Sequence, residues 1–343
     1  MEFVADFGLF LLKTLVIVGA IIVIVSFLVQ AGSSARQRPS PHIEVEKLNT
    51  RFRNFRRQLQ NHLLGRKEFK SFLKEEKKAE KLEQKVSRPG RVFVLDFHGD
   101  LRASGIESLR EEITAVLSVA KPGEDEVVLR LESGGGMVHA YGLAASQLAR
   151  IRQANVKLTV CVDKVAASGG YMMACVANRI LAAPFAIVGS IGVIAQVPNF
   201  HKVLKKHDVD FREFTAGEFK RTVTFFGEIT DSGVQKFREQ IEDTHRLFKE
   251  FVSLYRSQLD IGKVATGEHW FGTEALNLGL IDEIKTSDEY IYSRSQTADV
   301  YRIHYVTKKH WFERLPTAVA ETLHHSLQKV WSDIEGTRFG RGI

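Results

Sequence analysis

From Val92 onward, short apolar runs alternate with stretches of helical length, and that alternation limits the fold more than any other feature. Val92 to Phe97 reads as a strand, Glu107 to Ala120 as a helix, Val127 to Leu131 as a strand and Met137 to Arg152 as a helix. A third strand, Leu158 to Val162, precedes a helix from Ser168 to Ala177, and Asp231 to Leu259 reads as one long amphipathic helix. Short strands joined by helices of about ten residues or more imply βαβ units, hence an α/β domain with a largely parallel core.

The run from Ile180 to Val197 contains no charge and is long enough to pass for a membrane span. Pro184, Gly189 and Gly192 interrupt it, so two buried strands joined by a turn fit better. The N-terminal run is different. Phe7 to Val29 is apolar except for Lys13, which lies near one end where its side chain can snorkel to the interface. As a helix it extends about 34 Å, enough to cross a hydrocarbon core. A cleaved signal peptide would have a basic start, whereas Glu2 and Asp6 stand there, so an uncleaved anchor over 7–30 is expected.

The net charge of +7 is concentrated next to this segment. Between Ala31 and Gly90 there are 16 Lys or Arg against 7 Asp or Glu, which leaves the rest of the chain near neutral. Charge confined beside an apolar segment suits anionic lipid head groups better than nucleic acid, and no nucleic-acid partner is expected. Glu44 to Lys85 has helix-forming composition with a narrow apolar stripe of Phe52, Phe55, Leu59 and Leu63. It reads as a charged helical stalk or a basic linker over 31–90, ended by Ser87-Arg88-Pro89-Gly90. A globular domain over 91–290 follows, then an extension over 291–343 holding a strand (Val300 to Val306) and an amphipathic helix (Trp311 to Trp331). Cys161 and Cys175 are too few for a disulfide framework and read as buried small hydrophobes.

Three glycine-containing stretches fall at element junctions: Glu132-Ser133-Gly134-Gly135-Gly136, Ala166-Ala167-Ser168-Gly169-Gly170 and Gly189-Ser190-Ile191-Gly192. Neither GxGxxG nor GxxxxGK[ST] occurs around them, which argues against a phosphate loop. A serine at a helix start meets unpaired N–H groups and a positive partial charge, both favourable to a developing oxyanion. Ser168 read alone could equally be a plain helix cap. As a nucleophile it needs a base. No histidine follows within about thirty residues at a comparable motif; His139 and His245 read as surface or packing residues. Thr215-Ala216-Gly217-Glu218-Phe219-Lys220 instead places a lysine just past a glycine turn.

Asp163 to Met173, Gly189 to Ile194 and Ala216 to Lys220, in that order and with 52 residues from Ser168 to Lys220, resemble the signal peptide peptidase A family of serine–lysine peptidases. The resemblance covers nearly the whole chain. It implies a crotonase/Clp-protease-like spiral of ββα units preceded by one transmembrane helix, in a bacterial inner membrane. It further implies Ser168 as nucleophile, Lys220 as general base, Ser190 as the lysine's hydrogen-bond partner, and Gly136 and Gly169 as oxyanion-hole donors. Peptide or protein substrates follow, with no cofactor and no metal. In related single-domain members the serine of one subunit meets the lysine of its neighbour in a ring, so in one chain the two side chains are expected too far apart to hydrogen-bond. One departure stands out: the family commonly carries Asn-Ser-Pro-Gly-Gly where this chain has Glu132-Ser133-Gly134-Gly135-Gly136.

Lysine acts as a base only when neutral, and its ordinary pKa is about 10.4. Holding it neutral near pH 7 takes burial and no adjacent carboxylate, so Glu218 is expected to point away. An acyl-CoA enzyme on the same fold would not need Ser168 with Lys220, and an inactive scaffold would need neither. Membrane side is open: the charge rule favours the cytoplasm, the resemblance the periplasm.

Overall fold

A computed structural model describes residues 14–15, 17–19, 21–22, 41–83 and 90–306. Most of the expected anchor at 7–30, and all of the helix expected at 311–331, lie outside these. Among the described residues no helix is long and apolar enough to cross a membrane. Two compact units are distinguished, 1–42 with 306–343 and 43–305. In the first, the described residues between 14 and 22 are helical and exposed.

The second unit is built on a seven-stranded sheet. Its strands are β1 (His42–Lys47), β2 (Arg91–His98), β3 (Glu126–Glu132), β4 (Lys157–Val162), β6 (Arg179–Ala182), β9 (Glu283–Ile284) and β10 (Asp299–Val306), in the order β1-β10-β2-β3-β4-β6-β9. From β10 to β9 every pairing is parallel. A small second sheet sets β5 (Val165–Ala167) parallel to β7 (Ile187–Gly189), with β8 (His269–Phe271) antiparallel to β7. The helices among the described residues of the unit are α1 (Leu48–Leu63), α2 (Arg66–Glu83), α3 (Ile106–Leu117), α4 (Val138–Gln153), α5 (Gly169–Ala174), α6 (His201–Lys206), α7 (Asp231–Tyr255), α8 (Ile261–Val264), α9 (Gly272–Asn277) and α10 (Ser287–Thr297).

Near-continuous apolar strands are what a parallel sheet covered on both faces requires. Phe93, Leu95 and Phe97 alternate into a core shared with Ile113 of α3, Leu148 of α4 and Val252 of α7. Val92 and Val94 point the other way, into a core with Leu48, Tyr290 and Ile291. Each such side chain, fully buried, stabilises the fold by about 1.5–3 kcal/mol. Cys161 and Cys175 are buried and free, and burial pushes both thiols up.

The strands expected near 92, 127 and 158 and the long helix from Asp231 are present, with ends shifted by a few residues. The uncharged run at 180–197 holds β6 and β7, both strands of the folded unit, before an irregular stretch. Two expected boundaries are not kept. The fold does not break at residue 90, because β1 joins the sheet and Asn49 ties α1 to the far end of the unit. Its Nδ2 donates to Ser295 O (2.8 Å) and Ala298 O (3.0 Å), and its Oδ1 accepts from Val300 N–H (2.8 Å). Nor does it break at 290, because β10 lies inside the sheet between β1 and β2.

Candidate active site

The three glycine stretches converge where the large sheet is stitched to the small one. Past the end of β3, Ser133 N–H donates to Val165 O (2.8 Å), and Ala167 N–H donates back to Ser133 O (3.0 Å). The chain then makes a left-handed turn at Gly135 (φ +90°), which a side chain would strain. A Cβ at Gly135 would stand 2.8 Å from Ser168 Cβ and 2.7 Å from Gly169 N, so the loop passes directly over the start of α5. At Gly136 a Cβ would meet Leu101 O at 2.2 Å; the same carbonyl accepts from Met137 N–H at 2.9 Å.

Ser168 sits between β5 and α5 with φ 52° and ψ −120°. That conformation costs a non-glycine residue about 1–3 kcal/mol and is kept only where surroundings enforce it. Here Ser168 N–H donates to Gly189 O (2.8 Å), and Met172 N–H donates to Ser168 O (3.0 Å). The turn leaves the half-buried Ser168 at the N-terminus of α5. Gly169 opens that helix, so its N–H lacks an intrahelical acceptor. Among the described residues Gly136 N–H donates to no protein acceptor either. Both glycines line a small pocket with Ser168, closed by Val138, Met172, Val193, Thr244 and Phe248.

Ser190 follows in the third stretch, also left-handed at φ 51°. Its N–H donates to Glu268 O (2.7 Å) and its hydroxyl to Gly267 O (3.4 Å). Lys220 is set apart from these residues. It closes a turn in which its N–H donates to Gly217 O (3.1 Å), its side chain is exposed, and no hydrogen bond joins it to Ser168 or Ser190. Glu218 is likewise exposed and forms no ion pair with Lys220. One chain thus brings Ser168, Gly136, Gly169 and Ser190 to neighbouring loops and leaves Lys220 on its surface.

Sequence reading missed the pocket wall contributed by α7, since nothing local links Thr244 and Phe248 to a serine some 76 and 80 positions earlier. His245, on the same helix, is half-buried with Nε2 3.2 Å from Ile191 O, while His139 is exposed.

Two family models cover this arrangement, the N-terminal model of peptidase family S49 over residues 2–148 and that of peptidase family S49 over 150–301. The chain belongs to peptidase family S49. The second model contains Ser168, Ser190 and Lys220, and the first contains Gly136. Similar proteins include a probable protease SohB of Haemophilus influenzae, 49% identical over 321 residues and 90% of either chain. Another, from Buchnera aphidicola of Schlechtendalia chinensis, is 45% identical over 86% of this chain and 100% of its own. Protease 4 of Haemophilus influenzae is 30% identical over 61% of this chain and 35% of its own. The resemblance read from the three motifs is thereby borne out at the level of the family. The S49 chain carries a mixed α/β fold on a large parallel sheet.

Proposed function

We propose that this S49 protein is a membrane-anchored serine endopeptidase working by a Ser168–Lys220 dyad. One observation carries the reading: Ser168 is held in a strained strand-to-helix turn beside two backbone N–H groups, Gly136 and Gly169, that have no protein acceptor among the described residues. Such a turn presents a nucleophile, and free N–H groups next to it receive the charge that develops on a carbonyl oxygen. In the proposed reaction Ser168 Oγ attacks the peptide carbonyl carbon as the Lys220 amine takes its proton. The oxyanion binds at Gly136 and Gly169. The lysine proton then passes to the leaving amine, and water, deprotonated by the same lysine, releases the acyl group and restores Ser168.

Lys220 is exposed in a single chain, yet a base of this type needs desolvation. Within six positions of it in the sequence, Phe214, Phe219, Phe225 and Phe226 are exposed too. An apolar surface carrying the base fits a ring of protomers in which the lysine of one chain serves the serine of the next and is covered on assembly, with Ser190 receiving its amine. The ββα spiral, the anchor at 7–30, lipid contact by the basic residues of α1 and α2, and signal-peptide remnants or membrane and exported proteins as substrates belong to the same proposal; they rest on the resemblance and on charge.

A fluorophosphonate probe tests the mechanism. Wild type is expected to label, Ser168→Ala not at all, and Lys220→Ala far more slowly. Labelling that survives both substitutions overturns it.

A further inference from the structure

Three consecutive glycines at 134–136 carry no side-chain restraint of their own, and a loop that must hold an N–H in place needs an external one. The restraint present is a line of hydrogen bonds whose direction can be assigned. Gly135 N–H donates to Ser133 Oγ (3.1 Å), Ser133 Oγ and Tyr141 Oη are 2.6 Å apart, and Tyr141 Oη donates to Asp100 O (2.8 Å). A carbonyl only accepts, so the single phenol proton goes to Asp100 O and the proton between the two hydroxyls belongs to Ser133. Every member is therefore oriented, from the main chain of Asp100 to the amide of Gly135.

Tyr141 also touches the second candidate donor. It is fully buried on α4, and a Cβ at Gly169 would lie 2.4 Å from its Cγ, so the ring rests on the Gly169 backbone. A Cβ at Gly99 would come within 2.3 Å of Ser133 Oγ and 2.4 Å of Tyr141 Oη, so no side chain fits between that strand end and the pair. Burial holds the phenol above its ordinary range, and it remains a donor at neutral pH.

We propose that Tyr141 is a positioning residue for the oxyanion site, its hydroxyl orienting the 134–136 loop through Ser133 while its ring supports Gly169. This rests on the Ser168 reading above and takes over the restraint that a proline provides in the commoner loop of the family.

The test uses the full-length protein in detergent, the variants Tyr141→Phe and Ser133→Ala, and their combination. Fluorophosphonate inactivation is measured over a concentration series so that the maximal rate and the half-saturating concentration separate. Misplacing one of two donors is expected to lower the maximal rate on the order of tenfold and leave half-saturation within about twofold. Because both residues act in one line, the double variant is expected to fall no further than about twofold below the lower single. Two variants are used so that instability of either leaves the other to decide, with thermal unfolding showing which is folded. A maximal rate unchanged in the folded variants, or a loss confined to half-saturation, overturns the proposal alone. Labelling that persists in Ser168→Ala overturns the serine mechanism and this role with it.

Discussion

Gly169 lies directly beneath the aromatic ring of Tyr141, and a single added carbon would stand 2.4 Å from Tyr141 Cγ. Neither partner can retreat: Tyr141 is tied to Ser133 and Asp100, and Gly169 follows a serine fixed at both its N–H and its carbonyl. Gly169→Ala should therefore lower stability by at least about 3 kcal/mol, at the upper end of overpacking costs. Thermal unfolding checks it, and a melting temperature equal to that of wild type would contradict the packing described.

If the lysine of one chain serves the serine of another, two dead variants can repair each other. Ser168→Ala retains Lys220, and Lys220→Ala retains Ser168. Co-expressed in equal amounts and purified together, they should recover about a quarter of wild-type labelling, the fraction of neighbouring pairs in a random ring with the serine and lysine correctly placed. A mixture as inactive as its parts would instead put both residues of each site in one protomer.

Glu112 is a buried carboxylate whose Oε1 accepts from Tyr305 N–H (2.9 Å), while its Oε2 has no partner among the described residues. Burial pushes it up from 4.5 to about 7, with Asp96 adding to the rise and the Tyr305 N–H and Arg302 opposing it. His304 Nδ1 stands 3.6 Å from Oε1. The folded chain thus holds this proton more tightly than the unfolded one. The stabilisation is complete below about pH 4.5 and is lost as pH rises through about 7. Glu112→Gln, neutral at every pH, should exceed wild type by less than about 1 kcal/mol near pH 5 and by ~3 kcal/mol at pH 8.5. Denaturant unfolding at the two pH values measures this; equal differences at both would refute it.

Asn49→Ala removes three buried hydrogen bonds at once and leaves Val300 N–H without its acceptor. A loss of about 2–4 kcal/mol is expected, read by denaturant unfolding together with earlier protease cleavage near α1. A stability change below about 0.5 kcal/mol, typical of a surface substitution, would mean that α1 is not tied to the far end of the unit as described.

Period and punctuation made β2, β3, β4 and α7 readable in advance, because both depend on neighbours in sequence. The strand-to-helix turn at Ser168 was readable for the same reason: a serine and two glycines between an apolar strand and a helix are a local signature. The Ser133–Tyr141–Asp100 line was not, since its last contact spans 41 positions and ends on a backbone carbonyl that any residue supplies. The limits placed at 90 and 290 failed on strand order. Pro89-Gly90 does break the helical pattern, but only the partner strand decides whether the segment before it belongs to the sheet. The turn that ends at Lys220 was readable from Gly217, and the exposure of Lys220 in one chain could not be read from the turn alone.

The placement of β10 between β1 and β2 bears on how the chain reaches this state. Strands usually meet partners made shortly before or after them, yet β2 waits for Asp299 to Arg302 on one edge, and β1 waits for the same strand. During synthesis from the N-terminus the edge of β2 therefore stays open until nearly three hundred residues have emerged, with the exposure to stray strand pairing that an open edge brings. Helix α1, which follows β1, would spend that interval without the partners of Asn49, and closing the sheet is a late event that joins the two ends of the unit in a single step.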